Sequence, residues 1–560
     1  LKFVTWARNS IKFLRSMTSA RNFVKSARNF IKFLRLDKEV AIYFILSIII
    51  AIGLILRLYN LGDRSLWLDE IFSVTQSKEE ELYFGGSPTF YTILHPFIMY
   101  LGTSEFVVRL PSVIFGVLTI LLTYKVGKML FGVNEGVISA FLLSISVFAI
   151  RYSQEARMYS LLMFMAFASL FFFYRAIQKN EKIMWVGFVV STALSVYTHF
   201  YALFVVFAEA ILFVLFVLIE KLSPAKVGKR RRRPLSAEVG RKTFLAFFSS
   251  LVIVFIAITP VLSQTLTFTS GESWTWIERP TGSFLLSMFN AFSVGSIYFP
   301  TEFNGMLALG VFLCFFFIGI LASIKKFRKQ ITLLLLWIFL PVAIAFMVSF
   351  LFFPILGHPR YVIFALPAYL ILISRGITFT MNRAVDFASS KNVKALPAYL
   401  ILTLRTPRLK KRRRKKKNEE NIRLATCFIL AALVFGSVST PLLGAYFKDQ
   451  GENWKGAAYY LSNHIQPGDV VVVEPEYTTG CLAYYYNANL TKTTVISSNG
   501  TVRKLQKICD ENPRVWFVSS PHIQYTDRDG KIREWVSKNF KLVENFGSVN
   551  VYFRKAQVEA

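Results

Sequence analysis

The chain has 560 residues, of which 54% are hydrophobic and 56 are Phe, and this composition excludes an ordinary soluble domain in favour of a polytopic membrane protein. The formal net charge of +32 does not point to nucleic acid, because Lys and Arg gather in blocks between apolar runs, the pattern of membrane topology. Only four Cys are present, and none has the CxxC or zinc-finger spacing of a structural metal site.

Residues 1–38 form a basic arm in which SARNFVK at 19–25 is followed by SARNFIK at 26–32, with WARNSIK at 6–12 as a looser copy. That pattern suits an amphipathic cytoplasmic helix on an anionic leaflet, and equally a solvated arm. The next run is long enough to span and is not followed by a small-residue cleavage site, so it reads as a span and not as a signal peptide. About eleven spans are expected, at 40–58, 109–127, 136–150, 159–177, 184–199, 201–220, 243–262, 305–323, 331–352, 361–377 and 424–444. A second copied string, ALPAYLILT at 395–403 after ALPAYLILI at 365–373, is short and flanked by charge, and reads as a cytoplasmic or interfacial segment and not as a twelfth span.

The basic connections at 221–242, 324–329 and 409–417 alternate with connections at 59–108, 151–158, 263–304 and 353–360 that are poor in Lys and Arg. The positive-inside rule therefore expects a cytoplasmic N-terminus, with the second set of loops on the extracytoplasmic side. Residues 39–447 then form a transmembrane domain. Residues 448–560 change character: DVVVVEPE, TTVISS, RVWFVSS and SVNVYFRK alternate with helical patterns at 455–464, 502–510 and 531–539. A small extracytoplasmic α/β domain with a partly parallel sheet is expected there. It holds the sequons at Asn489 and Asn499, and Cys481 and Cys509, which could pair in an oxidising compartment or stay free.

Polar residues sort by side. Asp69 and Glu70 in SLWLDEIFSV, His95, Arg109, the run RYSQEARMY with Glu155, Arg157 and Tyr159, His199 in YTHFY, and His358, Arg360 and Tyr361 in GHPRY all fall in the outer set. Carboxylates, imidazoles and arginines at an outer membrane face can move a group from a lipid phosphate to a hydroxyl. Arginine forks such as Arg157 and Arg360 bind phosphate in a bidentate manner, and a carboxylate such as Asp69 can take the proton from an attacking hydroxyl. Blander readings stand beside these. An acidic pair can simply sit in interfacial water before a helix, Glu155 and Arg157 can form a structural ion pair, and an interfacial His can be only a hydrogen-bonding group. Trp274 and Trp276 in ESWTWIERP fit an interfacial belt first and a sugar platform second.

Five strings in order, SLWLDEIFSV, SPTFYTILHPFIMYLGTSEFVVRLPSVIFG, YSQEARMYSLL, YTHFYALF and GHPRYVIFALPAYL, resemble successive signatures of the dolichyl-phosphate-mannose protein mannosyltransferase-like group of GT-C glycosyltransferases, which includes the lipid A aminoarabinose transferase. The resemblance covers roughly residues 40–380. It implies an integral membrane enzyme that uses a polyprenyl or dolichyl phosphate sugar, with Asp69 and Glu70 as the catalytic pair (Asp69 the base, Glu70 a second base, a metal ligand or a simple neighbour), and Arg157, Arg360 and Tyr361 at the donor phosphate. His95, Tyr159 and His358 would contact acceptor or donor. Some relatives hold a divalent metal (Mg, Mn or Zn), for which Glu155 and His199 are the residues on offer. The chain lacks the lumenal MIR domains of eukaryotic protein mannosyltransferases and the WWDYG string of oligosaccharyltransferases, which favours transfer of a single sugar.

The resulting expectation is an inverting transferase that moves one hexose, mannose or a relative, from the lipid phosphate to a hydroxyl on a protein or glycolipid, with the bilayer and no nucleic acid as partner. A transporter or flippase is the alternative; against it, charges concentrate in loops and no matching broken spans occur in two halves.

Overall fold

A computed structural model describes residues 38–79, 86–222, 237–269, 279–296, 303–352, 354–389, 451–486, 494–498 and 500–555. The N-terminal repeats, the second ALPAYLIL copy, Trp274, Trp276, both sequon asparagines and the span expected at 424–444 lie outside those residues.

The other ten expected spans are helices, and the chain is a polytopic α-helical protein. They are α1 (Lys38–Leu58), α4 (Glu105–Leu130), the pair α5 (Val133–Ser144) and α6 (Val147–Ser153), α7 (Tyr159–Lys179), α8 (Lys182–Thr198), α9 (Ala202–Leu222), α10 (Ala237–Thr269), α12 (Phe303–Ser323), α13 (Arg328–Leu351) and α14 (Leu366–Ser389). Among the described residues six helices are long and apolar enough to cross a membrane, or seven if the bent pair α5–α6 counts as one span. Three more helices lie in stretches expected to be connections: α2 (Leu68–Lys78), α3 (Pro88–Leu101) and α11 (Phe284–Val294). Each is too short to span, so a search for apolar runs of membrane length passes over it.

Local breaks are satisfied from within. The α5–α6 bend of 58° frees backbone carbonyls, and the buried Arg57 of α1 answers them, donating to the carbonyls of Leu143 (3.3 Å) and Ser144 (3.1 Å) and to Ser153 Oγ (3.1 Å). Glu209 of α9 accepts from Ser169 Oγ of α7 at 2.5 Å, and Ser169 meets Thr192 of α8 at 2.6 Å, a polar tie across three helices. Helices α12 and α14 meet backbone to backbone, since a Cβ on Gly319 would lie 2.1 Å from the Leu372 carbonyl.

The C-terminal region is a small α/β fold. Its strands are β1 (Val470–Glu474), β2 (Thr494–Ile496), β3 (Arg514–Ser519), β4 (Lys541–Phe546) and β5 (Val549–Lys555), in the order β2-β1-β3-β5-β4. β1 pairs parallel with β2 and β3, and β5 runs antiparallel to β3 and β4. Between them lie α15 (Trp454–His464), α16 (Thr479–Tyr485), α17 (Val502–Glu511), the short α18 (Ile523–Thr526) and α19 (Lys531–Asn539). β1, four valines followed by Glu474, is buried along its whole length, as a central strand covered on both faces must be. Strand β4 was not expected: KLVENF is an edge strand whose Lys541 and Glu544 face solvent, so its apolar signal is diluted. Cys481 and Cys509 are both buried free thiols, and no pairing forms between them. Cys481 belongs to the same buried cluster as Val471 and Val473, and Cys509 to that of Val470 and Val472; alternation along β1 puts these valine pairs on opposite faces of the sheet.

Candidate active site

The short helix α2 carries the acidic pair in its first turn. Glu70 closes that turn by accepting from the Trp67 backbone N–H (3.3 Å), and it is fully buried. Its carboxylate meets Arg109 of α4 through two bonds of 2.8 Å, and it also accepts from the Ala156 N–H at 2.7 Å. Arg109 spends its remaining donors on the carbonyls of Leu61 (2.8 Å), Arg64 (2.9 Å) and Ser65 (3.0 Å). Both groups are saturated, so Glu70 faces a structural partner and not a reacting one.

Asp69, the adjacent residue, points to different partners. Its carboxylate lies 3.5 Å from Arg157 and 3.8 Å from Arg360, and 29% of its side chain is exposed. Arg157, in the loop before α7, is held by its bonds to the Asp69 carbonyl and Ser73 Oγ (both 3.1 Å). Arg360 sits in the 3-10 helix Pro359–Ala365, whose first turn is capped by His358 Nδ1 accepting from the Arg360 N–H (3.0 Å). Its guanidinium lies over three rings, Tyr159 (5.3 Å), Tyr361 (5.4 Å) and Trp67 (5.7 Å). Among the described residues the Nε atoms of Arg157 and Arg360 and the indole Nε1 of Trp67 are buried donors without a partner. Two orphaned guanidinium donors beside one carboxylate, with a third on the Trp67 ring against Arg360, are a cradle for an anion.

Behind Trp67 and Arg360 opens a cavity of about 270 Å³. The transmembrane part lines it with Arg64, Arg151, Glu155 and His358 among others, and the C-terminal fold closes it with Gly451, Glu452 and Ser548. Glu155 pairs with Arg151 at 3.7 Å while its second oxygen has no partner among the described residues. Burial pushes its carboxyl up to about 7. Burial, aided by Arg360 and Arg151, pushes His358 down to about 2, so that imidazole is neutral. Glu452 is fixed by His522 Nε2 (2.8 Å) and Trp454 Nε1 (2.7 Å).

A family model described as dolichyl-phosphate-mannose-protein mannosyltransferase matches residues 87–230. Among solved structures the chain is similar to ArnT from Cupriavidus metallidurans bound to undecaprenyl phosphate, at 11% identity over 92% of this chain and 98% of that one, with a TM-score of 0.54. It is also similar to the archaeal oligosaccharyltransferase AglB from Archaeoglobus fulgidus in complex with an inhibitory peptide and a dolichol-phosphate, at 13% identity over 93% of this chain and 75% of that one, with a TM-score of 0.54. No curated protein matches the sequence. The chain has the GT-C glycosyltransferase fold. This bears out the GT-C fold that the resemblance of the five strings implies, and the family model matches part of the stretch those strings cover.

On this GT-C frame Asp69, Arg157, Tyr159, Arg360 and Tyr361 come together, with Glu155 and His358 on the adjoining cavity. Three expected site residues have structural partners: Glu70, expected as a catalytic carboxylate, is spent on Arg109, and His95 and His199 bond to backbone groups. His95 of α3 is 2.7 Å from the Ser77 carbonyl and ties α3 to the end of α2. His199 is buried among Tyr159, Phe200, Tyr201 and Tyr361, and its Nδ1 accepts from the Tyr201 N–H (3.2 Å). The metal expectation for Glu155 and His199 does not fit these surroundings: among the described residues no three His, Cys, Asp or Glu side chains gather into a metal-holding group. Arg109, Trp67 and Glu452 were not singled out as site residues. For Arg109 a signal existed, a charge in the first turns of an apolar span, which demands a partner.

Proposed function

We propose that this chain is an inverting glycosyltransferase that moves one hexose, mannose or a relative, from a polyprenyl or dolichyl phosphate to a hydroxyl on a protein or glycolipid. The reaction runs at the extracytoplasmic face of the membrane in which the chain is embedded. The observation that carries the reading is the Asp69 carboxylate set between Arg157 and Arg360, whose Nε atoms have no partner among the described residues.

In this reading Asp69 removes the proton from the acceptor hydroxyl as its oxygen bonds to the sugar C1 and the bond from C1 to the phosphate oxygen breaks. The electron pair leaves on the lipid phosphate, and attack opposite the leaving group inverts the anomeric centre. Arg157 and Arg360 exchange their contact with Asp69 for the phosphate, which frees the carboxylate as the donor enters. The rings of Trp67, Tyr159 and Tyr361 hold Arg360 out of water, where its charge acts more strongly. Glu70 then serves as a positioning residue, fixing the turn that presents Asp69.

The test is to incubate the purified full chain in lipid nanodiscs with radiolabelled undecaprenyl phosphate mannose and a panel of hydroxyl-bearing protein and glycolipid acceptors, and to measure released lipid phosphate and labelled product. Release that needs Asp69 supports the reading. No release with any of a panel of hexosyl donors, or release unchanged in Asp69→Asn, overturns it.

A further inference from the structure

The segment that delivers Asp69 to the site has little structure of its own. Between α1 and α2, the backbone bonds within residues 59–67 are turn bonds such as Leu61 N–H to Leu58 O (3.3 Å) and Asp63 N–H to Asn60 O (3.4 Å), and Gln154 Nε2 donates to the Tyr59 carbonyl (2.8 Å) at the segment's start. The segment is held from two sides. From the helix bundle, Arg109 takes the carbonyls of Leu61, Arg64 and Ser65. From the C-terminal fold, the Tyr485 hydroxyl of α16 accepts the Leu66 backbone N–H at 2.8 Å, and the Lys455 N–H reaches Ser65 Oγ at 3.3 Å. Leu66 itself is completely buried, so without Tyr485 its N–H would be an unpaired donor out of reach of bulk water.

Both clamps rest on one face of α4. Glu105, the first residue of that helix, accepts from the Tyr485 hydroxyl (3.3 Å) and from Lys455 Nζ (3.0 Å); Arg109, one turn on, holds Glu70. Residues four apart share a helix face, so the C-terminal fold and the acidic turn are referenced to the same short stretch of backbone. Trp67 and Asp69 follow Leu66 by one and three residues, and both contact Arg360. A displacement of Leu66 therefore moves the ring and the carboxylate together relative to that arginine.

We infer that Tyr485 is a positioning residue for catalysis, through which the C-terminal fold sets the placement of Asp69. The inference rests on the assignment of Asp69 as base. It makes the C-terminal fold a working wall of the active site, in keeping with Gly451, Glu452 and Ser548 closing the cavity.

The test compares Tyr485→Phe, which keeps the ring and removes the hydroxyl, with Tyr484→Phe. Tyr484 donates to the Thr103 carbonyl (3.3 Å) and has no bond to the 59–67 segment. Two readouts are taken on the full chain in nanodiscs: steady-state release of lipid phosphate from undecaprenyl phosphate mannose, and hydrogen–deuterium exchange of the Leu66 amide. Tyr485→Phe is expected to lower kcat by roughly tenfold to a hundredfold, the scale of a small misplacement of a reacting group, with donor KM within about twofold. Its Leu66 amide exchanges faster, while Tyr484→Phe matches the unaltered chain in both readouts. Equal kcat in the two variants, a loss expressed in KM alone, or lost turnover without faster exchange at Leu66 overturns the inference. If the unaltered chain releases no lipid phosphate, the proposed function falls; exchange at Leu66 then decides separately whether Tyr485 holds the loop, and unchanged exchange overturns that too.

Discussion

Glu70 and Arg109 meet through two parallel bonds of 2.8 Å inside the protein, while the neighbouring Asp69 turns to Arg157 and Arg360. One step along the chain thus separates a carboxylate used up in structure from one left open to chemistry. The division follows from helix geometry: successive residues of α2 point about 100° apart, so only one of the pair can face α4.

Breaking the buried pair strands a charge. Arg109→Ala leaves the Glu70 carboxylate with its two backbone donors alone, and a loss of about 3–5 kcal/mol is expected. Arg109→Lys does not restore it, because one ammonium cannot span Glu70 and the carbonyls of Leu61, Arg64 and Ser65. Thermal unfolding of the purified protein in detergent measures this; a Tm equal to that of the unaltered chain in either variant would refute the structural assignment.

Asp69→Asn keeps the shape of the side chain and removes its basicity. Turnover should fall by about 10²–10⁴-fold, the range for loss of a general base, with donor binding retained or tightened because the arginines are released to the phosphate. Titration with undecaprenyl phosphate separates the two effects. Loss of donor affinity with kcat unchanged would contradict the role.

The helices that span were legible because runs of about 20 apolar residues carry their own signal. The four strands read from DVVVVEPE, TTVISS, RVWFVSS and SVNVYFRK were legible for the same reason. What stayed hidden is what depends on contacts far apart in sequence. Glu70 and Arg109 are 39 residues apart and Leu66 and Tyr485 are 419 apart, and no local pattern announces either pairing. Asp69, Arg157 and Arg360 could be grouped because each lies just beyond an apolar span on one expected side. Which of two adjacent carboxylates was spent on structure needed the facing helix.

Arg360 combines a charge with three ring contacts, and lysine reproduces only the charge. Arg360→Lys is expected to raise donor KM by about tenfold, since a point charge on a flexible stem loses both the planar fork and the stacking on Tyr159, Tyr361 and Trp67. Lipid-phosphate release at varied donor concentration reads this out. An unchanged KM would place the donor phosphate elsewhere, with Arg157 as the next residue to test.

Glu155 gives stability a pH dependence whose sign can be worked out. Burial pushes its carboxyl from 4.5 up to about 7, with Glu70 adding to the shift and Arg151 opposing it. A group that holds its proton more tightly when folded favours the folded state at low pH, and this contribution is full below 4.5 and lost as the pH rises through about 7. Above that range the folded protein carries a buried charge that the unfolded chain hydrates freely, a difference of up to about 3 kcal/mol. Glu155→Gln removes the titrating group. Relative to the unaltered chain its Tm should therefore rise as the buffer is taken from about pH 5 to about pH 8.5, with most of the change between about pH 5 and about pH 7 and a plateau above that. Melting curves across that range test it. A difference between the two proteins that stays constant with pH would mean that Glu155 is ionised throughout, held by Arg151 more firmly than its burial opposes.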